Sequence, residues 1–484
     1  MPMNRRTLVT FLATTLLAPS FSQAADMETQ DVVVVGSGIA GCAAALSALE
    51  SGAHKVLMIE RAPLIGGHSL MSSGTLAVVS PKRQVPLGIK DSVDLLWQDS
   101  RLVGGPRANE KMIRTIGEQS EKTVDWLERE GVEFSPVVFQ SGGGLHPRCV
   151  AGKSTSAGKD YVLTLYGNAK KLGLVTLLNT RLTGFRESEN GWIVECSQNG
   201  ADVEIKTKTL VLATGGFTDN PEMRKRFNKL IPTELQTSSN LNGGYFPYAQ
   251  GDGIILAAKT GAKTADLDAI QLMPLSGGRI VDYVGGDIFI NLDGKRFVNE
   301  DASWKNLERA LLSQKGHEMW VITDSKSTKS IHVASKLADG TIKKSDDVDS
   351  MARAMGIPTA VLKKTFSDYN KAASGQEADP LGKKVFTQTI DTPPYYWGKE
   401  RLHVHMTLGG IVIDQNGSVL SVNDKPIRGL FAAGETTGGI FGEDRLGGMS
   451  LMSALVFGRL AGMNAAHDSQ SSSKGLPHLP SRGM

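Results

Sequence analysis

Residues 31–60 read DVVVVGSGIAGCAAALSALESGAHKVLMIE. An apolar run after Asp31 has the character of a buried strand, Gly36-Ser37-Gly38-Ile39-Ala40-Gly41 makes a turn, an alanine-rich helix follows, and a second strand ends in Glu60. The pattern is the opening of a dinucleotide-binding βαβ unit. Gly36 permits the tight turn, Gly38 lets the backbone approach a pyrophosphate at the helix N-terminus, and Gly41 allows the helix to pack closely on the strand. Glu60, 24 residues beyond Gly36, is placed to accept hydrogen bonds from a ribose. A glycine turn without a ligand is the competing reading, and the strand before, helix after and acid beyond argue against it.

Working outward, Glu60 is followed by RAPLIGG (61–67), which adds Arg61, Gly66 and Gly67 as candidate cofactor residues. TLVLATGG (209–216) is a second strand ending in Ala213-Thr214-Gly215-Gly216, and GLFAAGETTGG (429–439) is a third, carrying Gly434 and Glu435. A chain that returns several times to one dinucleotide resembles the glutathione-reductase-type FAD fold, an α/β Rossmann-like architecture. NAD-only domains do not need the last two segments.

The 484 residues suffice for two or three cores, and 54 glycines with 40% hydrophobic residues suit a loop-rich α/β enzyme. The formal net charge is +3 and no basic stripe with interleaved aromatics occurs, so nucleic acid is not an expected partner. Cys42, Cys149 and Cys196 show no CxxC or CxxCH spacing, so neither a metal site nor covalent c-type haem is expected. Electrons must therefore come from a separate carrier. At the N-terminus, Arg5-Arg6 precede an apolar stretch from Leu8 to Ala18, and Ser22-Gln23-Ala24 resembles a cleavage site, giving an export signal over 1–24. NRRTLV resembles the twin-arginine pattern, with an ordinary export signal as the alternative. Either way the expected location is a bacterial periplasm. No other segment is long and apolar enough to span a membrane. The tail SQSSSKGLPHLPSRGM (469–484) is Ser/Pro-rich and expected to be disordered.

GDGIILAAKTGAKTADLDAIQLMP (251–274) reads as a helix leading to a strand, and DIFINLDGKRFVNED (287–301) as a strand, an Asp-Gly turn and a second strand. With these motifs in place, the chain resembles the fumarate reductase/succinate dehydrogenase flavoprotein family, in particular its soluble periplasmic reductases. The resemblance covers nearly all of residues 30–468 and rests on GSGIAG, IGGHSLMSSG, LVLATGGF, GDGI with IQLMP, GKRFVNE, TLGGIVID and LFAAGETTGG with RLGG. It implies an FAD-binding domain in two pieces, 25–267 and 406–468, and an inserted α+β capping domain, 268–405. It also adds His68, Ser69, Ser73, Gly74, Asp252, Ser450 and Leu451 to the candidate FAD residues. His68 matches the position that carries covalent flavin in succinate dehydrogenases. A histidine that only hydrogen-bonds, with FAD non-covalent, is the preferred alternative.

In that family a hydride passes from flavin to one carbon of an activated double bond, an acid in the cap protonates the neighbouring carbon, and arginines hold the activating carboxylate. Arg445 falls on the substrate-binding arginine, and its planar fork suits a carboxylate; pairing with Glu443 or Asp444 is the structural alternative. The remaining positions depart from the family. Trp304 stands seven residues after Phe297, where the reductases have their arginine acid. Met273 and Met406 stand where histidines help to hold a second carboxylate, next to Thr407, and the Glu-x-x-Arg relay is missing. Two methionines and a tryptophan give an apolar pocket with one anchoring arginine, which favours a monocarboxylate over fumarate. In the alternative, the methionines are core filling and the histidine has shifted to His405 or His403. A substitute acid is needed, with Tyr283, Arg279 and Lys305 as candidates.

The expected function is therefore reduction of the C=C bond of an α,β-unsaturated carboxylate, fed by a separate periplasmic c-type cytochrome. Two alternatives stay open: an FAD-dependent dehydrogenase of a saturated acid or ketone that passes electrons to a carrier, and a non-catalytic FAD-binding electron-transfer subunit.

Overall fold

The computed structural model describes residues 28–471 except 155–156, 240–245, 276 and 331. The expected export signal and most of the expected tail lie outside the described residues. In chain order, β1 (Gln30–Val35), α1 (Ile39–Glu50) and β2 (Val56–Ile59) form the first unit. Then β3 (Val175–Leu177), β4 (Thr180–Ser188), β5 (Gly191–Gln198) and β6 (Ala201–Leu212) follow a helical excursion. Val32 to Val35 are buried on both faces because β1 lies in the middle of the sheet, parallel to β2 on one side and β6 on the other. β6 is long: its first half closes an antiparallel meander with β5 and β4, and its second half joins the parallel layer.

The chain then leaves this layer. It passes through β7 (Ile270–Met273), β8 (Ile288–Ile290), α2 (Trp304–Leu312), β9 (Glu318–Thr323), α3 (Val333–Ala338), β10 (Ile342–Ser345), α4 (Val348–Met355), α5 (Thr359–Ala373) and β11 (Tyr395–Arg401). Strands β8, β9, β11 and β10 form an antiparallel sheet in that order. Ile288, Ile290, Ile322, Trp397 and Tyr395 pack with Leu362, Phe366 and Tyr369 of α5 into a hydrophobic cluster separate from the main core. The chain returns through β12 (His403–Thr407), which pairs antiparallel with β7 and brings Gln271 opposite Met406 and Met273 opposite His403. It ends in β13 (Ser418–Leu420), β14 (Pro426–Ala432) beside β6, and α6 (Met449–Ser471).

Two local expectations differ from the structure. After the Asp293-Gly294 turn the second strand does not form; Arg296 makes one bridge to Ile290, because its side chain is drawn to Glu300 and Asp379 instead. At the C-terminus α6 runs to Ser471, past the expected start of the tail, and Ser469 is buried.

α6 crosses α1 through small residues. A Cβ on Gly458 would lie 2.6 Å from the Ala40 carbonyl oxygen, and one on Gly462 2.1 Å from that of Ala44. The backbones touch, so neither position has room for a side chain. Gly462→Val is expected to destabilise the protein by about 1–3 kcal/mol or more through overpacking, measured by denaturant unfolding. Gly167→Ala, with nothing within 4 Å of its Cβ on the helix Ala157–Lys171, should not destabilise it.

Candidate active site

The β1–α1 turn is built from contacts that admit no side chain. Gly36 has φ +103°, and its Cβ would sit 2.3 Å from the Ala213 carbonyl oxygen; one on Gly41 would sit 2.0 Å from the Gly36 carbonyl oxygen. A Cβ on Gly38, by contrast, meets nothing nearer than 3.5 Å. The N-terminus of α1 therefore opens onto a cavity of about 850 Å³ with no acidic residue in its first turn. The cavity is lined by Gly36 to Ala40, Glu60, Arg61, Gly67, His68, Ser69, Ser73, Ala213 to Gly216, Asp252, Gly434, Glu435, Ser450 and Leu451. Gly41, Gly66 and Gly74 serve packing instead: the Cβ of the latter two would strike Leu70 and Ala157. Glu60 is tied to the turn as well as to the cavity, since its carboxylate accepts from the Ser37 N–H at 3.0 Å and the Ala62 N–H at 2.9 Å.

These features fit FAD. A helix N-terminus with a close-approach glycine suits a pyrophosphate. Arg61, held to Asp252 at 3.2 Å, keeps a buried Nε without a partner. His68 pairs with Asp219 at 3.1 Å and contacts the Ser239 hydroxyl at 3.2–3.3 Å from both ring nitrogens. Burial alone would raise Asp219, but the hydrogen bond and charge of His68 hold it below the usual carboxylate range. Asp219, Ser238 and Ser239 were not legible in the sequence; they lie on the two segments that flank the helix Pro221–Phe227, and no quoted motif includes them.

Beside β7 and β12, the cavity continues along Met273, Leu275, Arg279, Trp304, His405, Met406 and Arg445. Arg445 is 6% exposed. Its Nε donates to Met406 Sδ at 3.2 Å and Nη1 to the Leu446 carbonyl at 3.1 Å, while Nη2 has no hydrogen bond among the described residues. The guanidinium pairs with neither Glu443 nor Asp444. Asp444 is taken by the backbone N–H groups of Arg445 and Lys305 and by Gln271. Burial lowers the Arg445 pKa to about 10 against the pull of Asp444 and Glu435, which leaves it charged. His405 bonds Ser238 through Nδ1 at 2.8 Å, and burial, with Arg445 and His68 nearby, lowers it to about 3, so it is a neutral imidazole.

Three expectations are corrected by position. The Tyr283 hydroxyl does not line the cavity; it accepts from the Thr328 N–H at 3.2 Å. Lys305 is also absent from the lining, its ammonium bound to Glu308 at 3.0 Å. Thr407 is buried behind the cavity, its N–H and hydroxyl donating to Glu435. Trp304 is present but is not a free apolar wall. The indole lies on the backbone of Gly142 and Gly143, whose Cβ atoms would come within 2.8 Å and 2.1 Å of it. Arg279 stands over the ring, 5.5 Å from its centroid. The end of the cavity beside β7 and β12 thus holds two guanidinium groups, Arg279 and Arg445, not one.

The chain is similar to known flavoproteins in sequence and fold. The family described as "FAD binding domain" matches residues 31–451. A probable fumarate reductase of Shewanella frigidimarina is 33% identical over 455 residues, covering 91% of this chain and 75% of that protein. The acrylate reductase flavoprotein subunit of Shewanella woodyi is 30% identical over 466 residues, covering 89% and 90%. The open conformation of a flavocytochrome c3 fumarate reductase superposes with a TM-score of 0.70 at 33% identity, covering 91% of this chain and 79% of that one.

The buried histidines give the site a pH signature. His403, lowered to about 4 mainly by burial, and His405, lowered to about 3, bind no proton in the native state where an unfolded histidine, near 6.5, does. Both pKa values are depressed in the fold, so their contribution is intact above about pH 6.5 and is lost as pH falls towards 4. The slope is up to about 1.4 kcal/mol per pH unit for each histidine. His405→Gln is expected to flatten this acid limb by about half in denaturant unfolding from pH 7 to pH 4.5.

Proposed function

The chain belongs to the FAD-binding-domain family of flavoproteins as an FAD-dependent oxidoreductase acting on CH–CH bonds, and we propose that it reduces the double bond of an α,β-unsaturated monocarboxylate. The observation that carries this reading is Arg445: buried, charged, unpaired by any acid, and with one terminal nitrogen left to a ligand. A carboxylate is the group that a guanidinium fork in a desolvated pocket recognises best.

Bound FAD supplies the hydride. The protein's own part begins with Arg445, which holds the carboxylate and stabilises the negative charge that spreads onto it as the double bond is attacked. Met406 supports Arg445 through sulfur, and Met273 lies on the paired strand β7. Neither thioether offers a charge-assisted bond to a second carboxylate, which supports a monocarboxylate substrate. The relative named for acrylate, a monocarboxylate, is consistent with this. His405 stays neutral and contributes a hydrogen bond beside the anchor. FAD is held non-covalently in this reading, because both His68 nitrogens already have hydrogen-bonding contacts.

Electrons reach the flavin from a separate periplasmic c-type cytochrome. Two facts support that donor: Cys42, Cys149 and Cys196 are buried single thiols not placed to attach haem, and a solved structure similar to this one is a flavocytochrome. The twin-arginine-like leader supports the location.

The test is anaerobic reoxidation of the reduced protein, followed at the flavin band, by fumarate, acrylate, methacrylate, cinnamates and urocanate. Rapid reoxidation by a monocarboxylate and slow reoxidation by fumarate is expected; preference for fumarate would overturn the substrate class. Bleaching of the oxidised flavin by a saturated acid, with no reoxidation by any unsaturated one, would indicate a dehydrogenase. Arg445→Met should lower kcat/KM by roughly a thousandfold, on the order of 4 kcal/mol. The double variant Met273→His with Met406→His should move the preference towards fumarate.

A further inference from the structure

Arg279 has no counterpart among the family motifs, and its surroundings are those of a working group. It is 3% exposed yet lines the cavity, with its guanidinium 5.3 Å from the Phe289 ring centroid and 5.5 Å from that of Trp304. Nε donates to Asp287 Oδ2 at 3.0 Å, and no hydrogen bond holds the terminal nitrogens among the described residues. Asp287 is itself 1% exposed, and its other oxygen, Oδ1, is buried with no partner. The backbone beneath Arg279 is clamped. Glu400 accepts from the N–H groups of Gly277 and Arg279, and Lys336 donates to the carbonyl oxygens of the same two residues at 2.7 and 2.8 Å. Gly278 is pressed so closely on Gly398 that a Cβ would lie 2.3 Å from its carbonyl carbon.

We propose that Arg279 is the acid of the reaction and that Asp287 returns a proton to it, the pair replacing the acid that Trp304 displaces. The assignment rests on the reading of the protein as a reductase of unsaturated acids. When hydride adds to one carbon of the double bond, the π electron pair moves to the neighbouring carbon. An N–H bond of Arg279 breaks as a C–H bond forms there, leaving a neutral guanidine. Asp287 then takes up a proton from solvent and passes it to that guanidine, restoring the cation and leaving the carboxylate as it was. The charged groups facing Asp287 are Arg279, Lys383 and Glu300. Burial raises the Asp287 pKa, Arg279 and Lys383 oppose this, and Glu300 adds to it. Lys383 is largely committed elsewhere, to Asp301 at 2.6 Å. Trp304 is a positioning residue: the indole, seated on Gly142 and Gly143, fixes the plane of the guanidinium.

The experiment uses the FAD-loaded protein and an acid that reoxidises the wild type. Arg279→Gln should slow single-turnover reoxidation by roughly a thousandfold, while reoxidation by ferricyanide, which needs no acid, is unchanged. Arg279→Lys, which keeps the charge, is the second variant should the glutamine form lose FAD, and should retain no more than about a tenth of the rate. Asp287→Asn should leave the first turnover within about threefold of wild type and lower the steady-state rate by about a hundredfold. Proton uptake from solvent, followed with a pH indicator, should slow by about a hundredfold as well, a change that a purely structural role would not produce. Arg279 variants that keep more than a tenth of the single-turnover rate would overturn the acid. An Asp287→Asn protein that slows both phases equally, or neither, or takes up protons as fast as the wild type, would overturn the relay. A wild type inert to every unsaturated and saturated acid would overturn the function and this assignment together; a wild type that turns over leaves the function standing whatever the variants do.

Discussion

The structure depends on a place where no side chain fits: the contact between Gly41 and the Gly36 carbonyl, where a Cβ would lie 2.0 Å from oxygen. That approach seats α1 directly on the end of β1, so its N-terminal amides face the cavity. It also fixes α1 as the surface on which α6 crosses, through Gly458 and Gly462. With the helices locked, Gly215 after β6 and Gly434 after β14 reach the same cavity as Gly38, although roughly 400 residues separate the first from the last. A side chain at Gly41 would lift α1 and separate the three segments that make one cofactor site.

Desolvation governs the chemistry at the end of the cavity beside β7 and β12. Arg445 remains charged in spite of burial, His405 is neutral because of it, and Asp287 is pushed towards its protonated form. Such groups are costly to a fold, and their concentration beside one cavity is the physical mark of a reacting site. A second buried set lies near β8, in which Arg296 joins Glu300 and Asp379 while Lys383 joins Asp301. Each of those groups finds a partner of opposite charge and none of them lines the cavity, so their task is to fix the loops around β8.

Much of the site was legible because its signals are local. The βαβ opening, the returning glycine strands and Arg445 within RLGG each depend on a few adjacent residues. Trp304 shows where local reading stops: its apolar character was plain, but its indole is contacted by Gly142-Gly143 and by Arg279, from separate segments of the chain. Tyr283 and Arg279 were equal candidates, four residues apart. One turns its hydroxyl to Thr328, and the other turns its guanidinium to the cavity. The strand expected after Asp293-Gly294 failed because the Arg296 ion pairs, which the pattern of residues does not reveal, outweighed a ladder of backbone bonds.

By itself, then, the sequence determined the FAD-binding α/β fold and the family. These follow from turn geometry and from the burial of periodic apolar runs, which neighbouring residues dictate. Only the tertiary structure decided that Arg279 joins Arg445 at one end of the cavity, that His405 there is neutral, and which side chains of the segment 273–304 reach the cavity. Those outcomes depend on desolvation and on contacts between residues more than a hundred positions apart, and neither is specified until the chain has packed.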